Sequence, residues 1–160
     1  MHLGRILVSQ ETSSYVIKME GDVRLVLCAT LNDYMSTIFK SKDVSRIIID
    51  MIEAKGVDST TLGLLAKLAI YSNENFNIRP IIFCPDESLY ETLLVMGLND
   101  VFEIVSKEKS ELENYKELAS KPSHDSTIKK HVLEAHKVLS SINKKNKDEF
   151  LDLIAALERE

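Results

Sequence analysis

The chain has no tryptophan, three prolines, five glycines and two cysteines among its 160 residues. So few prolines and glycines exclude a collagen-like or low-complexity chain and leave little to interrupt regular elements. Cys28 and Cys84 lie far apart and outside any C-x-x-C or zinc-type spacing, so neither a disulfide framework nor a metal centre is expected, and nothing calls for a cofactor. Positive charge is in short supply too. With 20 basic against 25 acidic residues the formal charge is -5, which argues against a surface that binds nucleic acid by neutralising phosphates. There is no apolar run of the roughly 18 residues that a bilayer span needs. Met1-His2-Leu3-Gly4-Arg5 passes straight into a strand-like pattern without the apolar core of a secretory signal. A cytoplasmic protein with reduced thiols is the expectation. What is present suffices for a core: 44% hydrophobic and 28% charged residues describe one ordinary domain, or a compact domain of about 100 residues with an appendage.

Residues 1–106 alternate short apolar runs with helical patterns. Arg5 to Ser9 and Tyr15 to Met19 read as two strands, with Gln10 to Ser14 as the hairpin turn and Gly21-Asp22 as its end. Leu27, Leu31, Tyr34, Met35 and Ile38 recur at spacings of three and four, which predicts a first helix within Leu25 to Phe39. The β-branched run Arg46 to Ile52 reads as a strand buried on both faces, central in a sheet. Leu62, Leu65, Ala66, Leu68 and Ala69 predict a second helix, entered through Gly56-Val57-Asp58-Ser59 and ended by Ser72 to Asn75. Ile78 to Cys84 reads as the next strand. Ser88 and Glu91 have capping-box spacing for a third helix that Gly97 stops, and Val101 to Val105 makes a last strand.

From Lys107 onward no strand pattern is visible. Eleven basic and eleven acidic residues cancel there, so the whole -5 belongs to residues 1–106. Ser110 and Glu113 have the spacing to cap a helix through Ala119, broken by Lys121-Pro122-Ser123. Ile128, Val132, Ala135, Leu139 and Ile142 form a short heptad-like seam, and Asn146 with Glu149 can cap a final helix carrying Phe150, Leu151, Ile154 and Leu157. These amphipathic helices either pack back on the domain and on each other, or present a docking surface to a partner helix or a second copy.

Chemistry concentrates at Asp58-Ser59-Thr60-Thr61-Leu62-Gly63, where hydroxyls fall at a helix start. Unpaired N–H groups and partial positive charge make such a place hospitable to phosphate. The plain alternative is an Asp or Ser N-cap. Other candidates are weaker. His131 and His136 are five apart and point to different faces of a helix, so they read as exposed residues, not metal ligands. Cys28 and Cys84 read as small core hydrophobes. No nucleophile elbow, P-loop or dinucleotide fingerprint is present, so no enzyme is expected. Lys129-Lys130 and Lys144-Lys145 read as solvated helix faces.

In element order, and in the segment from Ile47-Ile48-Ile49-Asp50 through Asp58-Ser59-Thr60-Thr61-Leu62-Gly63-Leu64-Leu65, residues 5–105 resemble the STAS domain of anti-sigma factor antagonists. Gly21-Asp22 is similar to that family's Gly-Glu/Asp after the second strand, and Met96-Gly97-Leu98 with Val101-Phe102 to its late Gly-Leu and final strand. The resemblance implies an α/β fold for residues 1–106, a mixed sheet with helices mainly on one side, and a helical extension over 107–160. It implies Ser59 as the phosphoacceptor, with Thr60 as the minor alternative, and a partner-binding surface of Asp22, Asp58, Ser59, Thr60, Leu62 and Gly63. The implied function is a partner switch: unphosphorylated protein binds an anti-sigma factor, in some cases itself a serine kinase, phosphorylation releases it, and a metal-dependent serine/threonine phosphatase resets it. Repulsion by the new charge needs no large conformational change. Thr61 stands where the family has Gly or Ala, adding β-branched bulk beside the acceptor, and Lys55-Gly56 suggests a looser loop. The competing reading is a ligand-sensing or scaffold module in which the serine is only a cap. A homodimer through the tail is the alternative to its folding back.

Overall fold

The computed structural model describes residues 4–107 and 114–159. Among these are seven strands, β1 (Arg5–Glu11), β2 (Ser14–Val23), β3 (Arg46–Asp50), β4 (Ala54–Val57), β5 (Ile81–Phe83), β6 (Glu103–Val105) and β7 (Lys116–Glu117). The helices are α1 (Cys28–Lys40), α2 (Ser59–Phe76), α3 (Glu87–Val95), α4 (Asp125–Ile142) and α5 (Lys144–Arg159), with short 3-10 turns at Leu25–Leu27 and Leu98–Asp100. The strands form one mixed sheet in the order β6-β5-β3-β2-β1-β7, and β4 pairs with the end of β2. The β1–β2 and β1–β7 pairs are antiparallel and the others parallel.

Alternation along the central strands sorts the core. Tyr15, Ile17 and Met19 of β2 and Ile47 and Ile49 of β3 join the large cluster under the helices, whereas Val16, Ile48 and Phe83 meet in a smaller cluster on the other face. That double burial is why β3 reads as an unbroken β-branched run. The mixed sheet with helices mainly on one side agrees with the expectation from sequence.

Several local readings change. The turn tightens to Thr12-Ser13, with Thr12 at φ 56, so β1 and β2 are longer than expected. Gly21 does not end β2. At φ 71 it already pairs with Ala54 of β4, and the register slips by one residue just after it, so that Asp22 and Val23 pair with Gly56 and Val57. Lys55-Gly56, expected as loose loop, is part of β4, where a Cβ on Gly56 would stand 2.7 Å from Asp22 Oδ1. Helix α2 runs on through Asn73 to Phe76 and ends with Asn77 in the left-handed region. The cap of α3 is Asp86, whose carboxylate accepts from Leu89 N at 2.9 Å. Ser88 already lies inside the first turn, and Gly97, at φ 78, follows the end of α3 as expected.

The tail adds to the same sheet. Ser110 and Glu113 lie outside the described residues, and Lys116–Glu117 form β7, not helix. They pair with Val8 and Leu7, and Leu118 N donates to Ile6 O at 2.8 Å, satisfying part of the otherwise open edge of β1. A strand this short has no periodicity to read. The chain then crosses α1, where Thr30 Oγ1 donates to Ala119 O and accepts from Lys121 N. It continues into an α4–α5 hairpin laid on α2. Asn143, not Asn146, caps α5, accepting from Asn146 N at 2.8 Å. Asn146 is buried, and its Nδ2 donates to Met96 O at 2.7 Å and Leu139 O at 3.0 Å. Ile142 and Asn143 close over Gly97, where a Cβ would meet Asn143 Nδ2 at 2.5 Å.

Asn146 thus ties the hairpin to the corner after α3. Asn146→Ala leaves two carbonyls without their donor and is expected to lower the unfolding free energy by about 1–3 kcal/mol, read as a fall in the urea midpoint at unchanged m-value.

Candidate functional site

Asp58 follows β4 and adopts an extended conformation at the N-cap of α2. Its Oδ1 accepts from Thr61 N at 2.9 Å and from Thr61 Oγ1 at 2.7 Å, and its Oδ2 accepts from Leu25 N at 2.7 Å. One carboxylate therefore starts α2 and pins the turn that precedes α1. Thr61, expected to crowd the acceptor, is fully buried and turned to Asp58 and to Val23 O. Its hydroxyl also lies 3.7 Å from the Cys28 thiol at the start of α1.

Ser59 is the first residue of α2 and is half-buried. Its Oγ lies 2.7 Å from Nε2 of His136, on α4. Thr60 is buried at 5% exposure, which makes Ser59 the more accessible of the two hydroxyls. Leu62 is buried in the core, and Gly63 lies beneath Ala135, where a Cβ would come within 2.6 Å of Ala135 Cβ. Glycine in a helix interior costs about 1 kcal/mol against alanine, and here it admits the backbone of a second helix. Asp22 stands apart: its Oδ2 accepts from Arg24 Nε at 2.7 Å, while its Oδ1 is buried without a hydrogen bond. The Arg24 guanidinium is held more strongly protonated by Asp22 first and by Asp58 to a lesser degree, so both carboxylates face a common cation.

His136 was expected on an exposed face, and the structure overturns this: it is 4% exposed. Its ring stacks on Phe150 of α5 at 5.0 Å between centroids. Position 136 lies four residues after Val132 and three before Leu139, so it flanks the seam. A helix packed against both α2 and α5 buries that flank as well as the seam itself. Burial pushes the imidazole below its ordinary value of 6.5, and the nearby Asp58 charge opposes this only in part. The neutral ring can donate or accept at Nε2, but in either tautomer the buried Nδ1 has no partner. His131, by contrast, is half-exposed. Among the described residues no three His, Cys, Asp or Glu side chains converge as a metal site. Cys28 and Cys84 are buried thiols, each pushed up to about 11 by burial first, and so are poor nucleophiles.

The sequence matches no protein-family model and no curated protein. The fold does have counterparts. The structure of the anti-sigma factor antagonist SpoIIAA in its unphosphorylated form superposes with a TM-score of 0.53 at 16% identity, covering 64% of this chain and 88% of that one. The structure of the Bacillus cell fate determinant SpoIIAA in the phosphorylated form does so with a TM-score of 0.52 at 19% identity, covering 64% and 93%. The α/β unit therefore has the STAS fold of those proteins, with the C-terminal helices as an extension. No helix among the described residues is long and apolar enough to cross a membrane.

The depressed His136 predicts a pH effect. Well above 6.5 the ring is neutral both folded and unfolded and contributes nothing. As pH falls from 6.5 toward the lower folded value, the unfolded chain takes up the proton first and stability declines, the loss being complete below the folded value. Urea midpoints measured from about pH 7.5 to about pH 5.5 should fall more steeply for the natural chain than for His136→Gln.

Proposed function

We propose that the protein is an anti-sigma factor antagonist that works as a partner switch, with Ser59 as the phosphoacceptor. One observation carries this reading: Ser59 stands at the first position of α2, half-buried, with its hydroxyl engaged by a side chain from the extension and not by the α/β core. Support comes from the fold, shared with an antagonist known in unphosphorylated and phosphorylated forms. The helix start favours the modification, since partial positive charge at the end of α2 stabilises a phosphate there.

In the forward step a partner kinase transfers the γ-phosphoryl group of ATP to Ser59. The Oγ–P bond forms, the bond from phosphorus to the β-phosphate oxygen breaks, ADP leaves, and the hydroxyl proton passes to a base of the kinase. A metal-dependent phosphatase returns the serine by adding water across the Oγ–P bond. The unmodified protein binds an anti-sigma factor through Asp58, Ser59 and the neighbouring face of α2, with Asp22 at its margin, and so frees a sigma factor. Phosphate adds roughly -1.5 to -2 charge and three acceptor oxygens to a surface that must be desolvated for binding. A thousandfold weakening needs only about 4 kcal/mol, which an unpaired anion at an interface readily supplies. The chain acts here by binding, without turnover of its own.

The ligand-sensing reading finds less support. The hollow beside α3, between Cys84, Pro85, Glu87, Tyr90, Ile104 and Ser106, has about 170 Å³, below the roughly 300–1,000 Å³ of ordinary small-molecule pockets, and the larger one of about 660 Å³ in the hairpin is lined by polar residues alone, among them Lys137, Ser141, Lys144 and Asp148, without the apolar walls such pockets have.

Incubation with the candidate kinase and ATP should add one phosphate, mapped to Ser59 by mass spectrometry. As baits, Ser59→Ala should retain the anti-sigma factor and Ser59→Asp should lose it. Equal binding by both variants would remove Ser59 from the switch.

A further inference from the structure

We propose that docking of the α4–α5 hairpin and a phosphate on Ser59 are mutually exclusive, so that the hairpin is a built-in competitor for the α2 face and the protein has a self-capped state. The inference rests on the reading of Ser59 as the modified residue and adds a conformational step to it.

The hairpin occupies the surface in question. Along α2, Ser59, Gly63 and Lys67 succeed one another at four-residue spacing, on one side of the helix. Each meets the same stretch of α4. Ser59 Oγ faces His136 Nε2 at 2.7 Å, Gly63 lies under Ala135, and Lys67 Nζ pairs with Glu134 Oε1 at 2.7 Å. A partner that reads this face of α2 has to displace α4 first.

A phosphate cannot share the site. A 2.7 Å separation between Oγ and Nε2 holds a proton and nothing larger. The close approach of α4 at Gly63, one turn away, leaves no slack for the helix to lift locally. The environment is also wrong for a dianion. His136 is buried with its Nδ1 lacking a partner, so the ring would have to take up a proton against its burial to pair with a phosphate, and the Asp58 carboxylate is adjacent in sequence. Buried charge without pairing is costly, whereas the start of α2 itself tolerates phosphate well. Relief therefore comes from departure of the hairpin, not from unwinding of α2. The idea that charge repulsion alone operates the switch, with no large conformational change, gives way to one in which modification moves two helices.

Coupling of this kind is reciprocal: a phosphate that expels the hairpin implies a hairpin that shields Ser59 from the kinase. The chain then has three states. It is self-capped, open and competent for its partner, or open and phosphorylated.

The test uses the full chain with phosphoserine genetically encoded at position 59, so no kinase is needed. Hydrogen exchange is compared across four proteins: the unmodified chain, the phosphoserine form, Ser59→Ala and Ala135→Leu. Residues 125–159 should exchange at least about tenfold faster in the phosphoserine form. Ala135→Leu, which wedges α4 off Gly63 without touching Ser59, should do the same. Ser59→Ala, which loses only one hydrogen bond, should change little. Retained protection of β3 in every variant shows that the α/β unit stays folded. Unchanged or slower exchange of 125–159 in the phosphoserine form overturns the proposal, as does an Ala135→Leu chain whose hairpin stays protected. If phosphoserine opens the hairpin but no kinase modifies Ser59, the coupling stands and the partner-switch reading falls. If a kinase modifies Ser59 and the hairpin remains protected, the coupling falls alone.

Discussion

Helix α2 is packed on both sides, and the placing of the candidate site follows from that constraint. Leu62, Leu65, Ala66 and Ala69 belong to the core shared with the sheet and α1, while α4 lies across the adjoining side that carries Ser59, Gly63 and Lys67. Such a helix is largely apolar all round, and Gly63 and Leu64 are buried along with the expected stripe. Contact on the outer side depends on glycine at position 63, because any larger residue would hold the backbone of α4 away. With α4 at that distance, a side chain one turn earlier on α2 must meet one from α4, and Ser59 meets His136.

Asp58 supplies the second constraint. Its carboxylate binds the first turn of α2 and the backbone entering α1, so the end of β4, the start of α2 and the 3-10 turn before α1 are fixed relative to one another. Ser59 is thus held on a rigid corner, although its hydroxyl sits in the least settled polar contact nearby. His136 makes one good hydrogen bond and leaves Nδ1 buried and unmatched, an arrangement that costs about 1–3 kcal/mol relative to a satisfied ring. A contact held at that cost is a natural place for a reversible opening. Ala135, Leu139 and Phe150 beside it are buried apolar packing with no such cost.

The fold was legible where periodicity was strong. Ile47 to Ile49 marked a central strand because both faces of the sheet are covered, and Leu27 to Ile38 marked α1 because one stripe faces the core. Legibility failed where structure depends on distant neighbours. β4 and β7 are strands of only four and two residues that exist because β2 and β1 offer them unpaired backbone groups. Asp86 displaced Ser88 as the cap of α3 because the chain leaving β5 is still extended at that point. At the candidate site the hydroxyls and the N-cap were visible as a motif, whereas the burial of His136 was not, since nothing local distinguishes a buried polar residue on a seam's flank from an exposed one.

Amino-acid order alone determined the α/β character, the helix start at Asp58-Ser59 and the amphipathic stripes of α4 and α5, because caps and periodic apolar positions are local physics acting within a few residues. It left open whether those stripes would be covered by this chain or by another molecule. The tertiary structure decided that they close over α2, because only with β7 anchored on β1 and Gly63 facing Ala135 do residues far apart in sequence come close enough to bury one another.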